Sequence, residues 1–175
     1  MFKVNDYIMY GTTGVCKIID IKKQKFLGRE EKEYYILEPV YSKNTVIKIP
    51  VDNTTIKMRE VLSKNDIEEL INIIPKTETE WIDDDKTRSE KFKIMLKSGD
   101  CEKLITLIRT IYLNKKDRKS IGKKLYKVDD EIMQAAEKLL NEEFAFILDI
   151  DPKDVPKYIS SHIEEDNGKD KKGEK

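Results

Sequence analysis

The period of the hydrophobic pattern along this 175-residue chain changes once, near residue 60. Before that point, short β-branched or aromatic runs at 7–10, 15–21, 34–37 and 45–49 are bounded by turn-forming clusters. These are Gly11-Thr12-Thr13-Gly14, Leu27-Gly28-Arg29-Glu30 and Ser42-Lys43-Asn44. Several short strands packed into so few residues predict a small SH3-like or Tudor-like β-barrel, an economical way to remove most exposed strand edges.

After residue 60 the period becomes helical. Ser63 followed three residues later by Asp66 resembles a capping box, and Ile67, Leu70, Ile71 and Ile74 fall on one helical face before Pro75 stops it. The acids at 83–85 complement the start of a second helix carrying Phe92, Met95 and Leu96, which ends at Ser98-Gly99. Asp100 is placed to cap a third, with Leu104, Leu107, Ile108 and Ile111. A long helix starting near Asp129 carries Ile132, Ala135, Ala136, Leu139, Leu140 and Phe144, and Asp154 to Ile159 allow one short last helix. The fold class expected is therefore α+β as a two-domain chain. A β-barrel spans 1–58, an all-α helical bundle spans 59–163, and an apolar-free charged tail at 164–175 is expected to be disordered.

Charge changes this picture only locally. The 34 Lys+Arg balance the 34 Asp+Glu, so net charge names no partner. Between residues 109 and 127, however, Arg109, Lys115, Lys116, Arg118, Lys119, Lys123, Lys124 and Lys127 face the single acid Asp117. Such a window matches the footprint of a phosphate-backbone contact, although a lysine run is also what a solvated helix face looks like.

Enzyme chemistry finds little support. Asp83, Asp84 and Asp85 are consecutive, so on a helix they point about 100° apart and do not converge on an ion. No phosphate-binding or nucleophile-elbow motif occurs, and His162 stands alone. Cys16 and Cys101 share no metal or redox spacing and read as small buried hydrophobes; no metal, cofactor or catalytic residue is expected. With no leader pattern and no apolar run long enough to span a bilayer, a cytoplasmic location is expected. Tyr7, Tyr10, Tyr34 and Tyr35 read as strand pairs rather than an aromatic cage. Trp81, the only tryptophan, lies among acids between two periodic segments, an unusual place for a residue type that is ordinarily core.

Taken in order, Phe2-Lys-Val-Asn-Asp-Tyr-Ile-Met-Tyr10 with Gly14, Gly28-Arg-Glu-Glu-Lys-Glu-Tyr34-Tyr-Ile-Leu37, Val46-Ile-Lys-Ile-Pro50, and Leu96-Lys-Ser-Gly-Asp100 leading into Leu107-Ile-Arg109 carry a resemblance. The chain resembles the CarD/CdnL family of bacterial transcription regulators over about residues 1–148. The first domain of that family is shared with the transcription-repair coupling factor. The resemblance implies a non-enzymatic protein whose Tudor-like domain docks on the β subunit of RNA polymerase, pairing a strand edge with it. It further implies a helical domain that contacts promoter DNA at the upstream edge of the transcription bubble, largely independent of sequence, and stabilises the open complex.

Polymerase contacts are then implied at Lys23, Gln24 and Lys48, the last replacing a family arginine and losing its bidentate fork. Trp81 falls about four residues before the family's minor-groove wedge, with Ile82-Asp83-Asp84-Asp85 in place of small and basic residues, and Arg88 aligns with a basic position. A further basic position of the family falls near Asp129-Asp130, so Lys123, Lys124 and Lys127 stand in for it, beside Arg109, Lys115, Lys116, Arg118 and Lys119. The alternative from another class is an adaptor whose first domain binds polymerase and whose bundle binds a protein instead of DNA. A monomer is expected, with a strand-mediated dimer open.

Overall fold

The computed structural model describes residues 1–25 and 31–170, with side chains through residue 163. The turn expected at 27–30, the start of the Gly28 motif and the last five residues of the tail lie outside the described residues. The chain divides into two compact units, Met1–Val61 and Leu62–Lys175.

The first unit contains β1 (Tyr7–Tyr10), β2 (Gly14–Gln24), β3 (Lys32–Pro39), β4 (Ile47–Pro50) and β5 (Met58–Glu60). All pair antiparallel in one sheet of order β4-β3-β2-β1-β5. Strand β5 explains why the unit ends after residue 58: Met58, Arg59 and Glu60 hydrogen-bond along β1.

Inward-facing residues follow the two-residue period with one correction. Cys16 and Ile18 point into the core, and a bulge between Ile18 and Asp20 then shifts the inward set so that Ile21 faces it opposite Tyr35. Buried Ile8, Tyr10, Cys16, Ile18, Tyr35, Leu37 and Ile49 form the core, with Phe2, Ile47, Val51 and Met58 packed against it. One cluster that gathers side chains from all five strands, both ends of the ladder included, requires the sheet to curl around it.

The second unit is five α-helices: α1 (Lys64–Ile73), α2 (Asp85–Lys97), α3 (Cys101–Ser120), α4 (Lys127–Leu148) and α5 (Val155–Asp170). Helix α5 extends past residue 163, where composition alone starts the tail. The capping box at α1 is complete, the Asp66 N–H donating to Ser63 Oγ (3.2 Å) and the Ser63 N–H to Asp66 Oδ2 (2.7 Å). Asp84 and Asp100 cap α2 and α3. Ile67, Leu70 and Ile71 of α1 pack with Cys101 and Ile105 of α3 and with Leu140, Phe144 and Ala145 of α4, closed by Val155.

A fully buried carboxylate sits in this core. Glu143 accepts from the Leu62 N–H (3.1 Å) and from the Cys101 thiol (3.3 Å), joining the first residue of the unit to α3 and α4. Among the described residues, no helix is long and apolar enough to cross a membrane.

Candidate functional site

Helix α3 ends in a defined turn. Gly122 adopts a positive φ of 73°, the Lys123 N–H donates to Arg118 O (2.8 Å), and the Gly122 N–H donates to Lys119 O (3.1 Å). This is a Schellman arrangement, which satisfies the last carbonyls of the helix and reverses the chain toward α4. A Cβ at Gly122 meets open space, so glycine is required there by backbone conformation and not by crowding. Arg118 Nε then donates across the turn to Lys124 O (2.7 Å) and fixes its width. Most of the basic window is thus the tip of a helical hairpin of definite shape.

The stretch before α2 folds around one side chain. Arg88, on the first turns of α2, donates Nε–H and Nη2–H to Asp129 Oδ2 (3.1 and 3.0 Å). Its Nη2 also reaches Asp85 Oδ1 (2.7 Å), and Nη1 reaches the carbonyls of Ile82 (2.8 Å) and Asp83 (3.3 Å). A guanidinium has five N–H groups, and these five bonds account for all of them. Burial works against its charge, but the hydrogen bonds to Asp129 and Asp85 outweigh it and hold the group above its ordinary pKa.

Three aromatic contacts build outward from this point. The Arg88 guanidinium lies 4.4 Å over the Trp81 ring and 5.2 Å over that of Tyr126, and Arg118 lies 4.3 Å over Tyr126. Trp81 is half-buried and meets the buried Phe92 edge-on at 6.1 Å. Trp81, Arg88, Tyr126 and Arg118 therefore form a continuous ring–cation–ring–cation run from the α1–α2 connection to the hairpin tip. Trp81, 34 residues or more in sequence from Lys115, Lys116, Lys119, Lys123, Lys124 and Lys127, is tied through this run to the turn that carries them.

The three aspartates beside Trp81 have separate tasks. Asp84 accepts from the Thr87 N–H (2.8 Å), and the bonds from Thr87 hold its carboxyl below the usual range. Asp85 pairs with Arg88, and Asp83 contributes its carbonyl to the same group. Two of the three negative charges are thus engaged by the start of α2 itself.

The remaining expected contacts divide into struts and exposed cations. Arg88 is corrected: a side chain 3% exposed with every donor engaged cannot present a guanidinium to a phosphate, and it supports Trp81 and Tyr126 instead. Arg109 donates to the carbonyls of Thr77 and Pro75 (both 3.1 Å), anchoring the segment that leads to Trp81. Lys115 pairs with Asp130 (3.0 Å) and Lys127 with Glu131 (3.7 Å). Lys116, Lys119, Lys123 and Lys124 are exposed and make no ion pair among the described residues.

Sequence reasoning missed Tyr126 and Asp129. The available signal for Tyr126 was an aromatic interleaved with lysines; Asp129 gave none, because its partner lies 41 residues away.

In the first unit, Lys48 on β4 donates to Gln24 on β2 (Nζ to Oε1, 3.4 Å), reaching across β3 on the face opposite the core. Lys23, one residue earlier than Gln24, projects from the other face at the exposed end of the ladder. The structure brings two of the three positions together and separates the third.

Residues 2–62 match the family model of the CarD-like/TRCF RID domain, a match that covers the whole β unit. No curated protein matches the chain. The first unit of this chain therefore matches the CarD-like/TRCF RID domain, which points to an RNA-polymerase-interacting module.

Proposed function

We propose that this protein is a CarD-like transcription regulator. Its curled sheet acts as a Tudor-like barrel that binds the polymerase β subunit, and its helical unit binds promoter DNA at the upstream edge of the bubble. The open complex is stabilised as a result. The domain match carries the polymerase half. The run from Trp81 to the basic hairpin carries the DNA half, because it joins an apolar ring to a dense patch of positive charge.

The physical division of labour follows from the site. Lysines at the hairpin tip release counterions from the phosphate backbone, which supplies affinity without reading sequence. Trp81 then acts as a wedge at the fork, where bases are already partly unstacked and the cost of insertion is reduced. Asp84 and Asp85 oppose this less than their number suggests, since one caps α2 and the other pairs with Arg88.

Open-complex lifetime on a promoter, measured with the full-length protein and purified polymerase, tests the proposal. The wild-type protein should lengthen that lifetime, Trp81→Ala should lose most of the effect, and Lys123→Gln/Lys124→Gln should lose part of it. If both variants behave as wild type, the DNA half is wrong.

A second reading rests on a different observation. An apolar groove of about 410 Å³ between α3, α4 and α5, lined by Ile74, Ile105, Ile108, Tyr112, Leu140 and Ile159, suits a protein partner and an adaptor role. Binding that is insensitive to salt would favour it.

A further inference from the structure

Tyr126 occupies a position whose ordinary chemistry it does not perform. It is the N-cap residue of α4, a place where Ser, Thr, Asp or Asn accepts a backbone N–H, and its side chain makes no capping bond. Helices α1, α2 and α3 of the same unit are capped in the ordinary way by Ser63, Asp84 and Asp100. A local rule broken at one helix start, and kept at three others, marks a position held for something other than stability.

The surroundings indicate what that is. Tyr126 is 44% exposed, so it is not a core residue, yet it is not loose: Arg88 and Arg118 both lie against its ring. Its neighbours Lys123 and Lys124 are exposed cations, Lys127 is exposed beside Glu131, and Ile121 and Val128 on either side are exposed as well. A part-exposed ring held by two guanidinium groups amid lysines is the composition of a single-strand stacking platform, in which cations follow the phosphates and the ring takes a base.

We propose that Tyr126 is a nucleobase-contacting residue, a second aromatic contact beside Trp81 that takes an unpaired base at the fork while Lys123 and Lys124 hold the adjoining phosphates. This rests on the DNA reading above and adds to it a preference for unpaired DNA that resides in the hairpin. Arg88, contacting both rings, is the positioning residue that keeps the two aromatic contacts in register.

The test compares binding of the full-length protein to two DNA probes at one salt concentration: a duplex with an unpaired bubble and the fully paired duplex of the same sequence. Tyr126→Ala should weaken bubble binding at least about fivefold while changing duplex binding less than about twofold, and Tyr126→Phe should keep both. Tyr126→Asn separates function from folding. It restores a capping side chain, so it should raise the melting temperature while still losing the bubble preference. Bubble binding by Tyr126→Ala equal to wild type, with Trp81→Ala impaired, overturns the proposal and leaves the DNA reading standing. Equal losses on both probes also overturn it, by reducing Tyr126 to a support of the hairpin. If the wild-type protein binds neither probe, both readings fall together.

Discussion

Arg88 and Asp129 form a buried ion pair that closes a 41-residue loop, with Nε and Nη2 of one sharing a single carboxylate oxygen of the other. Both side chains are withdrawn from solvent, so removing Arg88 takes the counter-charge from a buried Asp129, whereas removing Asp129 leaves Arg88 still paired with Asp85. Arg88→Ala is expected to cost about 3–5 kcal/mol of stability and Asp129→Ala less, since Asp85 still neutralises Arg88. The apolar pair Arg88→Met/Asp129→Leu should cost much less than the two single losses added together. Urea unfolding of the four proteins checks this; additivity would show that the pair is not coupled.

If the hairpin lysines touch phosphates, their number is readable from salt. Neutralising one lysine that touches a phosphate should flatten the slope of log affinity against log salt by about 0.9. Lys123→Gln and Lys124→Gln should each reduce it by roughly that amount, with little change in preference among duplex sequences. Lys115→Gln should reduce it less, since Asp130 already neutralises that cation. Titrations at four salt concentrations measure the slopes, and an unchanged slope in the double variant removes these lysines from the interface.

The fragment 1–61 should retain the polymerase β lobe, and 1–57 should not. Without Met58–Glu60, β1 loses its partner on one side and the core loses Met58. Lys48→Arg should tighten retention by restoring a bidentate fork, whereas Lys48→Glu should weaken it roughly tenfold. A pull-down with the purified lobe distinguishes them. Lys23→Gln, on the other face, should matter least.

Acid pH should act on α4. Burial pushes the Glu142 carboxyl above its ordinary pKa, and Lys138, 3.8 Å away, opposes this only in part. A raised folded-state pKa means that the stabilising contribution belongs to the protonated form. It is complete below the usual carboxylate range and is lost as pH rises through the folded value. Glu142→Gln keeps the neutral form at every pH. Its melting temperature should match wild type near pH 4 and exceed it at pH 7. Curves from pH 4 to 7 suffice, and a variant less stable than wild type at pH 7 refutes the assignment.

What could be read from the sequence was what is local. The capping box at Ser63, the stop at Ser98-Gly99 and the stripe through α3 each lie within one or two helical turns, and all appear where the pattern puts them. A five-stranded barrel is expected, but the pattern does not place its fifth strand, because Met-Arg-Glu has neither alternation nor β-branched residues; β5 is a strand only because β1 supplies a partner. β2 runs past Ile21 through Lys22, Lys23 and Gln24 because the polar start of β3 pairs with them. Arg88 looked like a ligand because alignment sees a charge and not its counter-charge. Trp81 and the lysines were separately visible, but the two cations and the tyrosine joining them are a tertiary fact.

The Glu143 carboxylate has a bearing on how this chain can be recombined with others. By taking the Leu62 N–H, it makes the last residue of the RID match an internal part of the helical unit, whose first backbone amide it supplies. A chimera that exchanges the matched residues 2–62 for those of a relative therefore replaces Leu62 itself. Any residue but proline keeps the N–H there; a proline at position 62 removes this donor from the buried Glu143 carboxyl, and the hybrid inherits that defect however well its two halves are matched.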